Sequence, residues 1–191
     1  MRRAEYPGGV YWEYDTPPLA AAETVADIEA YAWPDPEKVR FAPLPAPEVW
    51  KPRHAQTVIG DYSFIGPFGI AFLMRGMEAL LCDMIANPAL VDAILARIEA
   101  FTLPLLERFL DTYAGAVDYV GCGDDFGTQL GLVMSREHFA RFFGPSLKRH
   151  FDLARDRGVM CYQHCCGAIY ELVPDLIECG VEVLNPIQVR A

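Results

Sequence analysis

Glycine recurs at positions 115, 158 and 180, each time between an amphipathic run and a short apolar one. A polar cluster follows every time: GDDFGTQ after 116–121, HCCG after 159–163, and NPIQ after 181–184. A glycine that ends a helix and feeds a strand is the C-terminal signal of an α-to-β connection. The sequence therefore predicts strands at 116–121, 159–163 and 181–184, with an earlier one at 57–64 (TVIGDYSF) entering a glycine-rich turn. Helices are expected between them. One spans 70–86, with Leu73, Met77, Leu80, Leu81 and Met84 on one face. A long one opens at Asn87-Pro88 and shows Leu90, Val91, Ile94, Leu95, Ile98, Phe101, Leu105 and Phe109 at helical spacing, with a kink expected at Pro104. Ser135 caps a third, which carries Phe139, Phe142, Phe143, Leu147 and Phe151, and a fourth spans 168–179.

Alternating strands and helices call for a parallel sheet with right-handed crossovers. Polar clusters at the same end of successive strands describe the active face of a (β/α)8 barrel, although an open doubly wound sheet also binds ligands at that end. Four strands fall short of eight, and 191 residues fall short of the roughly 250 of a complete barrel. The first 57 residues differ in kind. They hold nine of the 15 prolines and all three tryptophans, which predicts a packed irregular layer with one short helix near 20–32. The chain is read as one domain, 1–191, with β/α units over 58–191.

Composition removes several functions. A formal charge of −10, from 16 basic and 26 acidic side chains, argues against nucleic acid and against an anionic membrane surface. The longest apolar stretch, 64–74, is about half of a spanning helix and contains Gly66, Pro67 and Gly69. With no signal sequence behind Arg2 and Arg3, and with Cys161, Cys165 and Cys166 crowded together, the thiols read as reduced and the location as cytoplasmic. No Walker A, G-x-S-x-G, H-E-x-x-H, C-x-x-C or G-x-G-x-x-G pattern occurs.

His164 and Cys166 stand two residues apart at a strand end and so point the same way. Imidazole and thiolate are zinc ligands, and a catalytic zinc takes three protein ligands plus an open position. The plainer reading is a buried histidine beside inert core cysteines. Asp124 and Asp125 end the preceding strand as an acidic pair, suited to proton transfer, to a cation or to a substrate N–H. A capped turn with one solvated carboxylate explains them equally. Gln129, Asn185 and Gln188 offer amides at the same level, to orient substrate or to satisfy loop backbone. His138 and His150 lie among phenylalanines and His54 in a proline-rich loop, where structural roles serve.

In combination these segments are distinctive. DDFGTQLGLVMSREHF (124–139), the P-x-x-K-x-x-F-D at 145–152, and QHCCGAIYELVPDLIECGVEVLNPIQ (163–188) resemble the uroporphyrinogen decarboxylase superfamily. The likeness extends upstream through FGIAFLMRGMEALLCDMIANPALV and PLAAAETVADIEAYAWPDPE. That superfamily holds the decarboxylase of haem synthesis and zinc methyltransferases that work with corrinoid proteins or methylcobalamin. The resemblance implies a (β/α)8 barrel with its site at the strand ends. It matches His164-x-Cys166 to the methyltransferase zinc motif, which the metal-free decarboxylases lack. Zinc, a cobalamin or corrinoid group and a corrinoid partner protein are the implied cofactors and partner, beside a small-molecule substrate.

The resemblance also implies a partial chain. The decarboxylases' N-terminal arginine and aspartate motifs have no counterpart, and a third zinc ligand, a cysteine on a later strand, would lie beyond residue 191. None of Cys82, Cys122, Cys161, Cys165 or Cys179 stands at its position. Zinc would then be held weakly, with Asp125 as a substitute oxygen ligand if it lies across the site. Two other readings follow: a metal-free tetrapyrrole decarboxylase, and an inactive barrel fragment that needs a partner chain.

Overall fold

The computed structural model of the protein describes residues 2–13, 16–43, 58–59 and 66–188. Strand β3 (Val58–Ile59) pairs in parallel with β4 (Tyr119–Gly123), β4 with β5 (Met160–His164), and β5 with β6 (Val183–Asn185). The sheet order is thus the chain order. The remainder of the strand expected at 57–64 lies outside the described residues. The other three strands end one or two residues further along the chain than expected. His164 and Asn185, read as post-strand residues, are the last members of the ladder. Their register matters for the site: Gly123 stands beside His164, and His164 beside Asn185.

The helices follow the apolar spacing. Helix α1 (Val25–Ala30) is opened by Thr24 in a reciprocal cap with Asp27. Helix α4 (Pro88–Thr112) runs unbroken through Pro104 and buries Leu90, Val91, Ile94, Leu95, Ile98, Leu105, Leu106 and Phe109. Pro88 occupies its first turn as expected. The Asn87 side chain, however, turns away from the helix and donates to the Glu23 carbonyl at 3.4 Å. The helix expected at 70–86 is two helices, α2 (Pro67–Arg75) and α3 (Met77–Ala86). Gly76 parts them at φ +93°, a conformation that side chains rarely adopt, which periodicity across it could not reveal.

Ser135 caps α5 (Arg136–His138), its Oγ accepting the His138 N–H at 3.3 Å. A π-helical turn at Phe139–Phe143 continues into α6 (Gly144–Arg155). In place of one helix over 168–179 there is a 3₁₀ turn, Tyr170–Leu172, followed by α7 (Val173–Glu178). Gly115, Gly158 and Gly180 all take positive φ between helix and strand, as their repeated position predicts.

The proline-rich start contains more regular structure than expected. Strands β1 (Arg2–Tyr6) and β2 (Gly9–Glu13) form an antiparallel hairpin closed by Pro7-Gly8. The stretch behind it packs on the end of α4. Arg108 donates to the Pro36 and Val39 carbonyls, and the Phe41 ring meets Phe109 edge-on at 5.7 Å. Among the described residues no helix is long and apolar enough to cross a membrane.

Aromatic packing ties the helices to the strand ends. Phe68 of α2 lies 5.5 Å from Phe126 and 5.1 Å from Phe143, and Phe126 lies 5.0 Å from Phe139. All four are buried. Each such ring contributes about 3–5 kcal/mol against truncation to alanine. Phe126 follows directly on Asp124 and Asp125, so this cluster fixes the base of the loop that carries them.

Candidate functional site

The parallel register brings Gly123, His164 and Asn185 to one level, and the loops that leave them meet above the sheet. Two hydrogen bonds continue the ladder past its formal end: Asp124 N–H to the His164 carbonyl (3.1 Å) and Cys165 N–H to the Asn185 carbonyl (2.9 Å). The loops after β4 and β5 then cross in contact. A Cβ on Gly167 would fall 2.5 Å from the Gly127 carbonyl carbon, and Gly167 sits at φ +91°. Glycine is the residue that satisfies both conditions.

This crossing gathers three of the expected residues. One donor atom from each of Asp125, His164 and Cys166 lies within 4.8 Å of the others. His164 Nε2 is 3.3 Å from Cys166 Sγ and 4.0 Å from an Asp125 carboxylate oxygen. The Cys166 N–H donates to that same oxygen at 2.7 Å, which aims the carboxylate at the cluster. Burial, with the nearby Asp125 charge, pushes the Cys166 thiol up from its ordinary range. Ligand atoms around a tetrahedral zinc stand about 3.3–3.8 Å apart, so the nitrogen–sulfur–oxygen set fits that ion after a small closing movement. Asp125, read from the sequence as a substitute oxygen ligand should it lie across the site, does lie across it and gives three donors within the described residues.

Cys165 faces the other way, as alternation predicts. It is buried, accepts the Phe126 N–H at 3.3 Å, and burial pushes its thiol up to about 12. Asp124 also parts from its neighbour. It is 2% exposed, and its carboxylate accepts the N–H groups of Phe68 (3.1 Å) and Gly69 (2.6 Å) at the start of α2. Burial pushes this carboxyl up to about 7, against the lowering pull of those N–H donors. Gly66 lets the backbone approach so closely: a Cβ there would fall 2.3 Å from Asp124 Oδ2.

A cavity of about 430 Å³ opens beside the cluster, within the size range of small-molecule sites. Asp124, Asp125 and His164 form its polar side, and Phe72, Met77 and Val133 an apolar one. The three amides are arranged differently from the expectation. Gln188 accepts the Gly167 N–H (2.8 Å) and donates to Gln129 (3.0 Å), a clasp across the loop crossing. Asn185 Oδ1 lies 3.2 Å from His164 Nδ1 and accepts the Tyr162 hydroxyl at 2.8 Å. None of the three is among the residues that line the cavity.

Sequence reasoning missed Tyr162 and the apolar wall. Tyr162 carried a usable signal, since it precedes His164 by two and therefore shares its face of β5. The wall residues come from helices far along the chain, with no local signal. Of the other histidines, His150 is buried, facing Thr102 and the Ser146 carbonyl, and His138 stacks on Phe142; both are structural as expected. His54 lies outside the described residues.

No protein of curated function matches the sequence. Among solved structures, a methyltransferase from Methanosarcina mazei superposes with a TM-score of 0.51 at 18% identity. The match takes in 63% of this chain and 33% of that one, so the chain spans about a third of its length, and the likeness is one of fold. The family model for uroporphyrinogen decarboxylase (URO-D) matches residues 9–186. With that match over nearly its whole length, the chain belongs to the uroporphyrinogen decarboxylase family.

Proposed function

We propose that this protein is a zinc methyltransferase of the family, acting between a corrinoid or methylcobalamin and a thiol or methoxy substrate. The observation that carries the reading is the convergence of Asp125, His164 and Cys166 beside the cavity. These three residues would hold the metal. Bound there, zinc supplies Lewis acidity, which keeps a thiol substrate deprotonated or polarises an ether oxygen.

The chain's own residues do the rest. Cys166 N–H holds Asp125 in line, and the Gln129–Gln188 clasp fixes the loop that carries Cys166. Phe72, Met77 and Val133 give the cavity an apolar side, where a thiolate would be less solvated and more nucleophilic. A corrinoid or methylcobalamin would supply the methyl group, and a thiol substrate bound beside Asp125, His164 and Cys166 would be its acceptor. Asp124 would line the floor of the cavity and hold α2 in place.

The four parallel strands are read as one arc of a (β/α)8 barrel, within a single domain. Their sheet order follows the chain order without the reversal that marks a doubly wound sheet, and polar residues cluster at one end. Incubating the zinc-loaded protein with methylcobalamin and a panel of small thiols tests the activity. Zinc-dependent loss of the methylcobalamin spectrum with formation of a methyl thioether supports it. Turnover of a tetrapyrrole acid without metal would instead establish the decarboxylase reading. Zinc binding without turnover of either would point to a barrel segment that acts only with a further chain.

A further inference from the structure

We infer that Asn185 is a positioning residue: its side-chain oxygen holds the proton of His164 on Nδ1, so that Nε2 presents a lone pair to Cys166 and Asp125. This rests on the zinc reading for its purpose, although not for its geometry. Asn185 and His164 are direct register partners at the ends of adjacent parallel strands. Asn185 Oδ1 lies 3.2 Å from His164 Nδ1, while the ring's other nitrogen lies 3.3 Å from Cys166 Sγ. One side of the imidazole therefore faces an acceptor and the other faces the donor cluster.

Two further contacts hold Asn185 in place. The Tyr162 hydroxyl donates to the same Asn185 oxygen at 2.8 Å. The Asn185 carbonyl accepts the Cys165 N–H at 2.9 Å, which pins its backbone to the loop that carries Cys166. With Nδ1 donating to Asn185, Nε2 is left as the acceptor and meets the Cys166 thiol hydrogen. The opposite amide orientation would place its N–H₂ against Nδ1, move the ring proton to Nε2 and close the metal-facing position. A histidine that ligates through one nitrogen ordinarily has the other fixed by an oxygen in this way, and removal of such a partner costs about 10–100-fold in metal affinity.

The experiment reads the proton directly. Protein labelled with ¹⁵N-histidine, free of metal and at pH 8, is observed by long-range proton–nitrogen correlation, with His164 assigned from the His164→Gln spectrum. The wild type should show the proton on Nδ1. Asn185→Asp, which keeps an acceptor, should retain that form and bind zinc within tenfold of the wild type. Asn185→Leu should shift the proton wholly or partly to Nε2 and weaken zinc about 10–100-fold, at unchanged circular dichroism. Should the leucine variant fail to fold, Tyr162→Phe serves in its place, with a smaller shift in the same direction. A wild-type proton on Nε2, or a folded Asn185→Leu that keeps it on Nδ1, overturns the inference. Failure of the wild type to bind zinc overturns the metal reading alone, because the ring proton is measured without metal.

Discussion

Asp124 and Asp125, adjacent in the chain and both at the cavity, hold different partners. The Asp124 carboxylate is buried against the first N–H groups of α2, while the Asp125 side chain is 58% exposed and turned to His164 and Cys166. Alternation at a strand end produces this division, and it separates a residue that holds the cavity wall from one that faces the metal donors.

The first prediction follows from that division. Asp124→Ala leaves the Phe68 and Gly69 N–H groups without their acceptor at the start of α2. Loss of the cap and of buried hydrogen bonds should cost about 2–4 kcal/mol in urea unfolding. Asp125→Ala, on an exposed side chain, should change stability by less than about 1 kcal/mol. Equal losses in the two variants would contradict the division.

The crossing of the two loops gives the second prediction. Gly167→Ala would drive a Cβ to 2.5 Å from the Gly127 backbone at a φ of +91°. Overpacking together with the strained dihedral should cost about 2–4 kcal/mol. Zinc affinity should fall with it, since Cys166 rides on the same loop. A thermal melt unchanged within a degree would show that the loops do not cross as described.

The third concerns pH. His150 is buried, with Nδ1 facing the Ser146 carbonyl (2.7 Å) and Nε2 facing Thr102 (2.8 Å). Burial holds its pKa below the ordinary 6.5, with Arg149 adding to that and Glu99 opposing it. Below about pH 6.5 the unfolded chain therefore takes a proton that the folded chain refuses. The stability linked to His150 is present above that pH and is lost as the pH falls through the window beneath it. Urea unfolding of the wild type and of His150→Leu at pH 8 and pH 5.5 measures this. The wild type's advantage should shrink at the lower pH; an advantage that grows would contradict the assignment.

Much of the fold is legible in local sequence. Gly115, Gly158 and Gly180 mark the helix-to-strand joints, and the periodic apolar residues of α4 mark its buried face. What local sequence lacks is long-range contact. His164 and Asn185 look like loop residues because they are polar, yet pairing with each other's strand keeps them in the sheet. Gly76 interrupts an apolar pattern that reads as one helix. The roles of Asp124 and Asp125 diverge because Phe68 and Gly69, 56 and 55 residues away, present N–H groups to one of them. For the site, His164 and Cys166 were legible as a pair from their spacing. Asp125 joins them through the Cys166 N–H, a contact across 41 residues.

If Asp125, His164 and Cys166 form one zinc site, metal content reads it without any substrate. The 191-residue protein is equilibrated with zinc, desalted and analysed by mass spectrometry of the metal, beside Asp125→Ala, His164→Ala and Cys166→Ser. About one zinc per chain is expected in the wild type and a small fraction of that in each folded variant. A wild-type protein that carries no zinc, or variants that retain it in full, would rule out a zinc site at these three residues.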